Sequence, residues 1–160
     1  MRVAVIGANG FVARHVCLAL ADAGHEVAAV IRRREITHLP GAEIIRYMDD
    51  AGPETDWEPL IFGADAILHL VSPSEGTGEK ASIAYRRIRD GTLALGRAAA
   101  ATSVKRFVFG STIKVNGEAT TTEPFRPGTI PRPEATYGTI KLETENGLTA
   151  ISRELGLPVT

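Results

Sequence analysis

The chain opens with a short apolar run, a glycine turn and a helical stripe, and few folds accept that order. Arg2-Val3-Ala4-Val5-Ile6 reads as a buried strand. Gly7-Ala8-Asn9-Gly10-Phe11-Val12-Ala13 follows, and Val12, Val16, Ala19, Leu20 and Ala23 then recur at helical spacing up to Gly24. Strand, glycine turn, helix is the context in which a glycine motif holds a dinucleotide. Gly7 permits the tight turn. Gly10 lets the backbone approach a pyrophosphate seated on the helix N-terminus, where unpaired N–H groups and the helix dipole favour anions. Ala13 is small enough for the helix to lie on the strand. Asn9, Phe11 and Val12 complete the expected cradle. The simpler reading is a turn that only joins strand to helix.

The same alternation continues along the chain. His25–Ile31, Glu43–Met48, Ala66–Val71 and Lys105–Gly110 read as further strands, and Leu157–Thr160 begins another. Pro53–Gly63 reads as a short helix with one apolar face. Glu79–Ala101 and Glu134–Leu155 read as long helices, and Pro124–Pro133 as a proline-rich loop. Gly91 and Gly96 suggest close packing within the first long helix, and Arg86, Arg87 and Arg89 read as its solvated side. Strands alternating with helices imply an α/β fold with a parallel, doubly wound sheet and helices on both faces. Right-handed crossovers then put ligands at the carboxyl ends of the strands. The glycine turn, Leu70-Val71-Ser72 and Ser111-Thr112 all fall at such ends. The loop 72–78 is expected to border the substrate. His69 sits within an apolar run and reads as a core residue.

Two further features concern the cofactor. In NAD-binding sheets of this kind, an acidic residue about 20 residues past the glycines receives the ribose hydroxyls. Here the second strand ends in Ile31-Arg32-Arg33-Arg34, with no acid at its tip. Arg32 or Arg33 at that place suits a 2′-phosphate, which favours NADP; a solvated basic loop is the alternative. Asp49, at the end of the third strand, is a candidate for the adenine amino group or a plain loop cap.

Tyr137-Gly138-Thr139-Ile140-Lys141 places a phenol and an ammonium one helical turn apart. A lysine held beside a tyrosine favours the phenolate and lowers its pKa from about 10. Such a tyrosine suits general acid/base work on an alcohol. The string is common by chance and gains meaning from the glycine turn that precedes it.

Composition narrows the class. The 160 residues are enough for one domain and one core; 44% are hydrophobic and 23% charged. A net charge of −1 offers no basic field for nucleic acid. No apolar run approaches the length of a membrane span, and the N-terminal apolar stretch reads as a strand, not a signal peptide. Cys17 is the single cysteine, so neither a disulfide framework nor a metal cluster is expected. A cytoplasmic location is expected.

Gly7-x-x-Gly10-x-x-Ala13, Phe107-Val108-Phe109-Gly110-Ser111-Thr112-Ile113-Lys114-Val115-Asn116-Gly117-Glu118 and Tyr137-x-x-x-Lys141 together resemble the extended short-chain dehydrogenases/reductases. The likeness is to the NAD-dependent epimerase/dehydratase branch, the UDP-glucose 4-epimerase-like proteins, and covers nearly the whole chain. It implies a Rossmann-like cofactor domain over residues 1–160, NAD or NADP as cofactor, a UDP-sugar as substrate, and a homodimer. Thr112 matches the family's catalytic Ser/Thr, with Ser111 as neighbour and second candidate. Tyr137 matches the acid/base, and Lys141 the lysine that holds the nicotinamide ribose. The implied chemistry combines oxidoreductase and isomerase steps. Hydride leaves a sugar carbon as Tyr137 takes the hydroxyl proton, and returns to the other face of the ketone.

The chain departs from the family pattern in several places. The acid at the second strand is missing. Ile88-Arg89-Asp90-Gly91-Thr92 stands where relatives read Asn-Val-x-Gly-Thr. Asn116 stands where many have tyrosine, and Ile140 replaces the usual serine before the lysine. Family members are longer, with a second half that forms the nucleotide-sugar pocket, so a fragment lacking the C-terminal substrate domain is expected. Two other readings are an NADP-dependent carbonyl or sugar reductase and a non-catalytic dinucleotide-binding module.

Overall fold

Val3, Val5, Val27, Ala29 and Ile31 point to one side of a sheet, and Ala4, Ile6, Val30, Ile67 and Phe107 to the other. Because strand side chains alternate between faces, the near-continuous apolar runs give a sheet that must be covered twice. A computed structural model, which describes residues 1–72, 79–120 and 122–160, has that architecture. Five parallel strands lie in the order β3-β2-β1-β4-β5: β1 Arg2–Ile6, β2 Glu26–Ile31, β3 Ile44–Tyr47, β4 Ala66–His69 and β5 Arg106–Phe109. Phe107 pairs in parallel with Val159, so the expected strand after Leu157 starts beside β5. The fold is a Rossmann-like doubly wound α/β domain, as the sequence pattern predicts. The order reverses between β1 and β4, and the switch point lies at their carboxyl ends.

Helix α1, Phe11–Asp22, covers one face of the sheet. The chain from β2 to β3 carries no helix; Leu39 closes that side, with Ile36 and Ala42 packed around it. The other face carries α2 Glu58–Ile61, α3 Glu79–Ala100 and α4 Thr136–Leu155. The buried stripe of α1 is Ala13 and Cys17, with Leu20 partly buried, while Val12 is 60% exposed. The stripe is therefore phased one residue from the expectation built on valines. Small side chains set it, because they let the helix approach the strands.

Other differences are local. Helix α2 is a single turn, starting at Glu58 with Pro59 in its first turn and ending before Gly63, which takes φ +71°. Strand β4 ends at His69, so Leu70 and Val71 lie just beyond it. Residues 73–78 of the loop expected to border the substrate are outside the described residues. Arg87 and Arg89 are not simply solvated. Arg87 pairs with Asp50 and Glu54, and Arg89 with Asp90 and Glu143, which ties α3 to the loop after β3 and to α4.

Helices α3 and α4 pack through glycine. A Cβ on Gly96 would sit 3.0 Å from Leu148, and one on Gly147 2.6 Å from Leu93. The interpretation of Gly91 as a packing glycine also holds: its Cβ would fall 1.9 Å from the carbonyl oxygen of Ala51. This close approach sets how far α4 stands from the sheet, and so where its polar residues reach.

His69 is a core residue, as read from the sequence. Its ring stacks on Phe107, with centroids 6.4 Å apart, and its Nε2 lies 3.3 Å from the Thr92 hydroxyl. Burial pushes its pKa down from 6.5 to about 3, and the Lys141 charge acts in the same direction. The unfolded chain therefore takes up this proton first. Stability is complete above pH 6.5 and is lost as pH falls through that window toward about 3. Each unit of separation is worth about 1.4 kcal/mol. His69→Phe is expected to keep more of its neutral-pH stability than the parent when urea unfolding is compared near pH 7 and near pH 5. Equal losses in the two proteins would contradict this account.

Candidate functional site at the carboxyl edge of the sheet

Beyond Ile6 the backbone turns sharply. Gly7 takes φ +84°, and its N–H donates to Val30 O at 2.9 Å. That φ lies in the left-handed region that glycine enters without steric cost. A Cβ there would also press on Val71, 3.1 Å away. Gly10 then starts α1, whose first turn has no side-chain cap and no acidic residue. Its N–H groups remain available, in the orientation that suits an anion. Gly7, Asn9, Gly10, Arg32, Met48, Leu70, Val71 and Ser72 line a cleft of about 260 Å³. This donor set and this glycine-shaped space fit a dinucleotide pyrophosphate.

The basic tip of β2 divides. Arg32 lines the cleft, whereas Arg33 turns away to Glu35, 2.7 Å from Nε to Oε1. Asp49 pairs with Arg34 at 2.7 Å and lines a neighbouring hollow of about 360 Å³. Met48 lines both spaces and forms a wall between them. The side chains of Phe11 and Val12 stand exposed on the first turn of α1, so these two residues would meet a cofactor through their backbone N–H groups; the Phe11 ring meets His15 edge-on, 5.4 Å between centroids.

The second half of the site comes from α4. Tyr137, Lys141 and Glu145 succeed one another at i, i+4 and i+8, along one face. Tyr137 and Lys141 line a small cavity of about 20 Å³ together with Val71, Tyr85, Arg89, Thr92 and Phe109. Val71 also lines the glycine cleft, so the two spaces are neighbours across this residue, just past the end of β4. The rings of Tyr137 and Tyr85 lie 5.5 Å apart. Lys141 is 8% exposed; its Nζ donates to Gly110 O at 2.7 Å and sits 4.4 Å from the Phe109 ring centroid. Burial lowers its pKa from 10.5 to about 8, while the Glu145 carboxylate pulls it back upward.

Ser111 and Thr112 follow Gly110. The Ser111 hydroxyl donates to Glu145. Thr112 caps a 3-10 turn over Ile113–Val115, accepting from the Lys114 N–H at 3.4 Å. Gly138 lets the first turn of α4 rest on that segment: a Cβ there would meet Lys114 O at 2.5 Å. The chain thus brings the Thr112 segment beside Tyr137. Met48, Tyr85, Phe109 and Glu145 were not singled out by sequence. Only Glu145 carried a signal, its place one turn beyond Lys141.

With this geometry in hand, the comparisons are informative. The model of the NAD-dependent epimerase/dehydratase family matches residues 3–160. The chain belongs to that family. A UDP-glucose 4-epimerase of Vibrio cholerae is 28% identical over 158 residues, which cover 96% of this chain and 48% of that one. Aldehyde reductase 2 of Sporidiobolus salmonicolor is 34% identical over 119 residues, covering 68% of this chain and 34% of that one. A short-chain dehydrogenase/reductase superfamily protein from Agrobacterium tumefaciens, crystallised with NAD, superposes with a TM-score of 0.81 at 25% identity. That match covers 99% of this chain and 47% of its counterpart. This family member thus spans about half or less of the length of these relatives. Among its described residues, no helix is long and apolar enough to cross a membrane.

The buried ammonium supplies a prediction. In nitrogen NMR, the Nζ of Lys141 is expected to titrate near pH 8, well before ordinary lysines. A midpoint at 10.5 or above would show that it reaches water freely.

Proposed function

We propose that residues 1–160 form the cofactor domain of a nucleotide-sugar epimerase/dehydratase-like oxidoreductase, acting on a UDP-sugar. The observation that carries this is convergence. The glycine turn after β1 and Val71 after β4 line one cleft, Val71 with Tyr137 and Lys141 of α4 line the cavity next to it, and Thr112 follows β5 at the same carboxyl edge of the sheet. Family membership and the similarity to UDP-glucose 4-epimerase support the substrate class.

In this reading the N–H groups of Asn9 and of the first turn of α1, Phe11 and Val12, would hold the pyrophosphate, since those of Gly7, Ala8 and Gly10 are taken up within the turn, and Val71 would line the nicotinamide end. A nicotinamide held there would supply a reversible hydride acceptor for the sugar carbon. Thr112 orients the sugar hydroxyl. Ser111, engaged by Glu145, is the less available of the two hydroxyls. Tyr137 takes the hydroxyl proton as hydride leaves, then returns it. Lys141 keeps a positive charge beside the reacting groups and holds the ribose.

A reductase of carbonyl compounds using NADP is the second reading. It is favoured by Arg32 in the cleft, by the lack of an acid at the tip of β2, and by the similarity to aldehyde reductase 2. Of the two arginines the sequence offers for a 2′-phosphate, Arg32 lines the cleft, while Arg33 pairs with Glu35 at the surface, which supports Arg32 as the better candidate.

Titration with NAD and NADP separates these readings. Arg32→Asp is expected to weaken NADP roughly ten- to a hundredfold and leave NAD nearly unchanged, the loss of a charge-assisted contact. Equal effects on the two cofactors would remove the phosphate role. UDP-sugar interconversion without net cofactor change selects the epimerase, and substrate-driven loss of NADPH absorbance selects the reductase. In either case Tyr137→Phe should lower turnover by on the order of 10²–10⁴ with cofactor affinity retained. Turnover at the parent rate would rule out Tyr137 as the proton carrier.

A further inference from the structure

Two side chains one turn apart on α4 grip two successive residues at the end of β5. Lys141 takes the carbonyl of Gly110, and Glu145 takes the hydroxyl of Ser111. The next residue is Thr112, whose own hydroxyl is turned back to the Lys114 N–H. A free strand end would let Thr112 swing. With both preceding residues anchored, the backbone that leads into Thr112 is tied to α4, the helix that carries Tyr137. Sub-ångström placement of this kind matters, because a misplacement of about 1 Å can cost about a hundredfold in rate.

Glu145 also faces Lys141 electrostatically. The groups around that ammonium are Tyr137 and Glu145 on α4, Tyr85 and Arg89 from α3, and His69 from β4. His69 is uncharged at neutral pH, and Arg89 is already paired with Asp90 and Glu143. Glu145 is therefore the negative partner of Lys141 in this set.

We propose that Glu145 is a positioning residue, which clamps Ser111 to fix the Thr112 hydroxyl beside Tyr137 and supports the charge on Lys141. The assignment rests on the catalytic reading above. It gives Ser111 a definite task as the held residue, and it leaves Thr112 as the hydroxyl offered to substrate.

The test compares Glu145→Ala, Glu145→Gln, Ser111→Ala and Tyr137→Phe. Glu145→Ala and Ser111→Ala should lower kcat by on the order of ten- to a hundredfold, with cofactor Kd little changed. Glu145→Gln retains an acceptor for Ser111 and should recover part of that loss. It lacks the charge, so Lys141 gives up its proton at lower pH, and the alkaline limb of the rate profile should move down with it. Parent-like rates and pH profiles in the Glu145 variants, with Tyr137→Phe inactive, would overturn the proposal alone. Parent-like turnover in Tyr137→Phe would overturn the catalytic reading. The clamp is also read without turnover, by NMR on the same chains. The Lys141 Nζ midpoint should fall in Glu145→Gln, and amide exchange at Lys114 should quicken in Ser111→Ala. If both stay at parent values, the clamp is not there.

Discussion

The bond from the Lys141 ammonium to the Gly110 carbonyl joins the two halves of this site. One half is the end of β5, with Ser111 and Thr112. The other is α4, with Tyr137. Taking an ammonium out of water is costly, and the lowering of its pKa to about 8 records that cost. A 2.7 Å hydrogen bond and the face of Phe109 offset part of it. Buried charge of this kind adds little to stability, but it fixes where a helix sits against a strand end. The surrounding packing serves the same placement. Gly96 and Gly147 bring α3 and α4 together, Gly138 seats α4 on the turn after Thr112, and Gly91 seats α3 on the carbonyl of Ala51.

The sheet contributes the other fixed point. Its order reverses between β1 and β4, so the turn at Gly7 and the chain beyond His69 splay around one cleft. Val71 touches both the glycine cleft and the Tyr137 cavity. A dinucleotide lying across the sheet edge would have its pyrophosphate at one and its nicotinamide at the other.

Much of this was legible because it is local. The strand–turn–helix at residues 2–22, the helical pair Tyr137 and Lys141, and the core place of His69 follow from spacing and apolar pattern within a few residues. What stayed hidden depends on size, direction or distance. Ala13 was legible as the small residue on which the helix rests, but Val12, counted in the apolar stripe, stands exposed because that stripe is set by Ala13 and Cys17. Arg32 and Arg33 are adjacent in sequence, and nothing in the local pattern tells that Arg32 lines the cleft while Arg33 pairs with Glu35. The bond between Ser111 and Glu145 spans 34 positions, and no periodicity announces it. The chain between β2 and β3 offered no strong helical stripe and is covered instead by Leu39.

A crystal structure of the chain with NADPH or NADH bound tests the central claim most directly. The account predicts the diphosphate on the N–H groups of Asn9 and of the first turn of α1. It predicts the Tyr137 phenol and the Thr112 hydroxyl on one side of the nicotinamide, each within about 3 Å of where a substrate oxygen would sit. A diphosphate bound elsewhere, or a Tyr137 hydroxyl directed away from the nicotinamide, would contradict it.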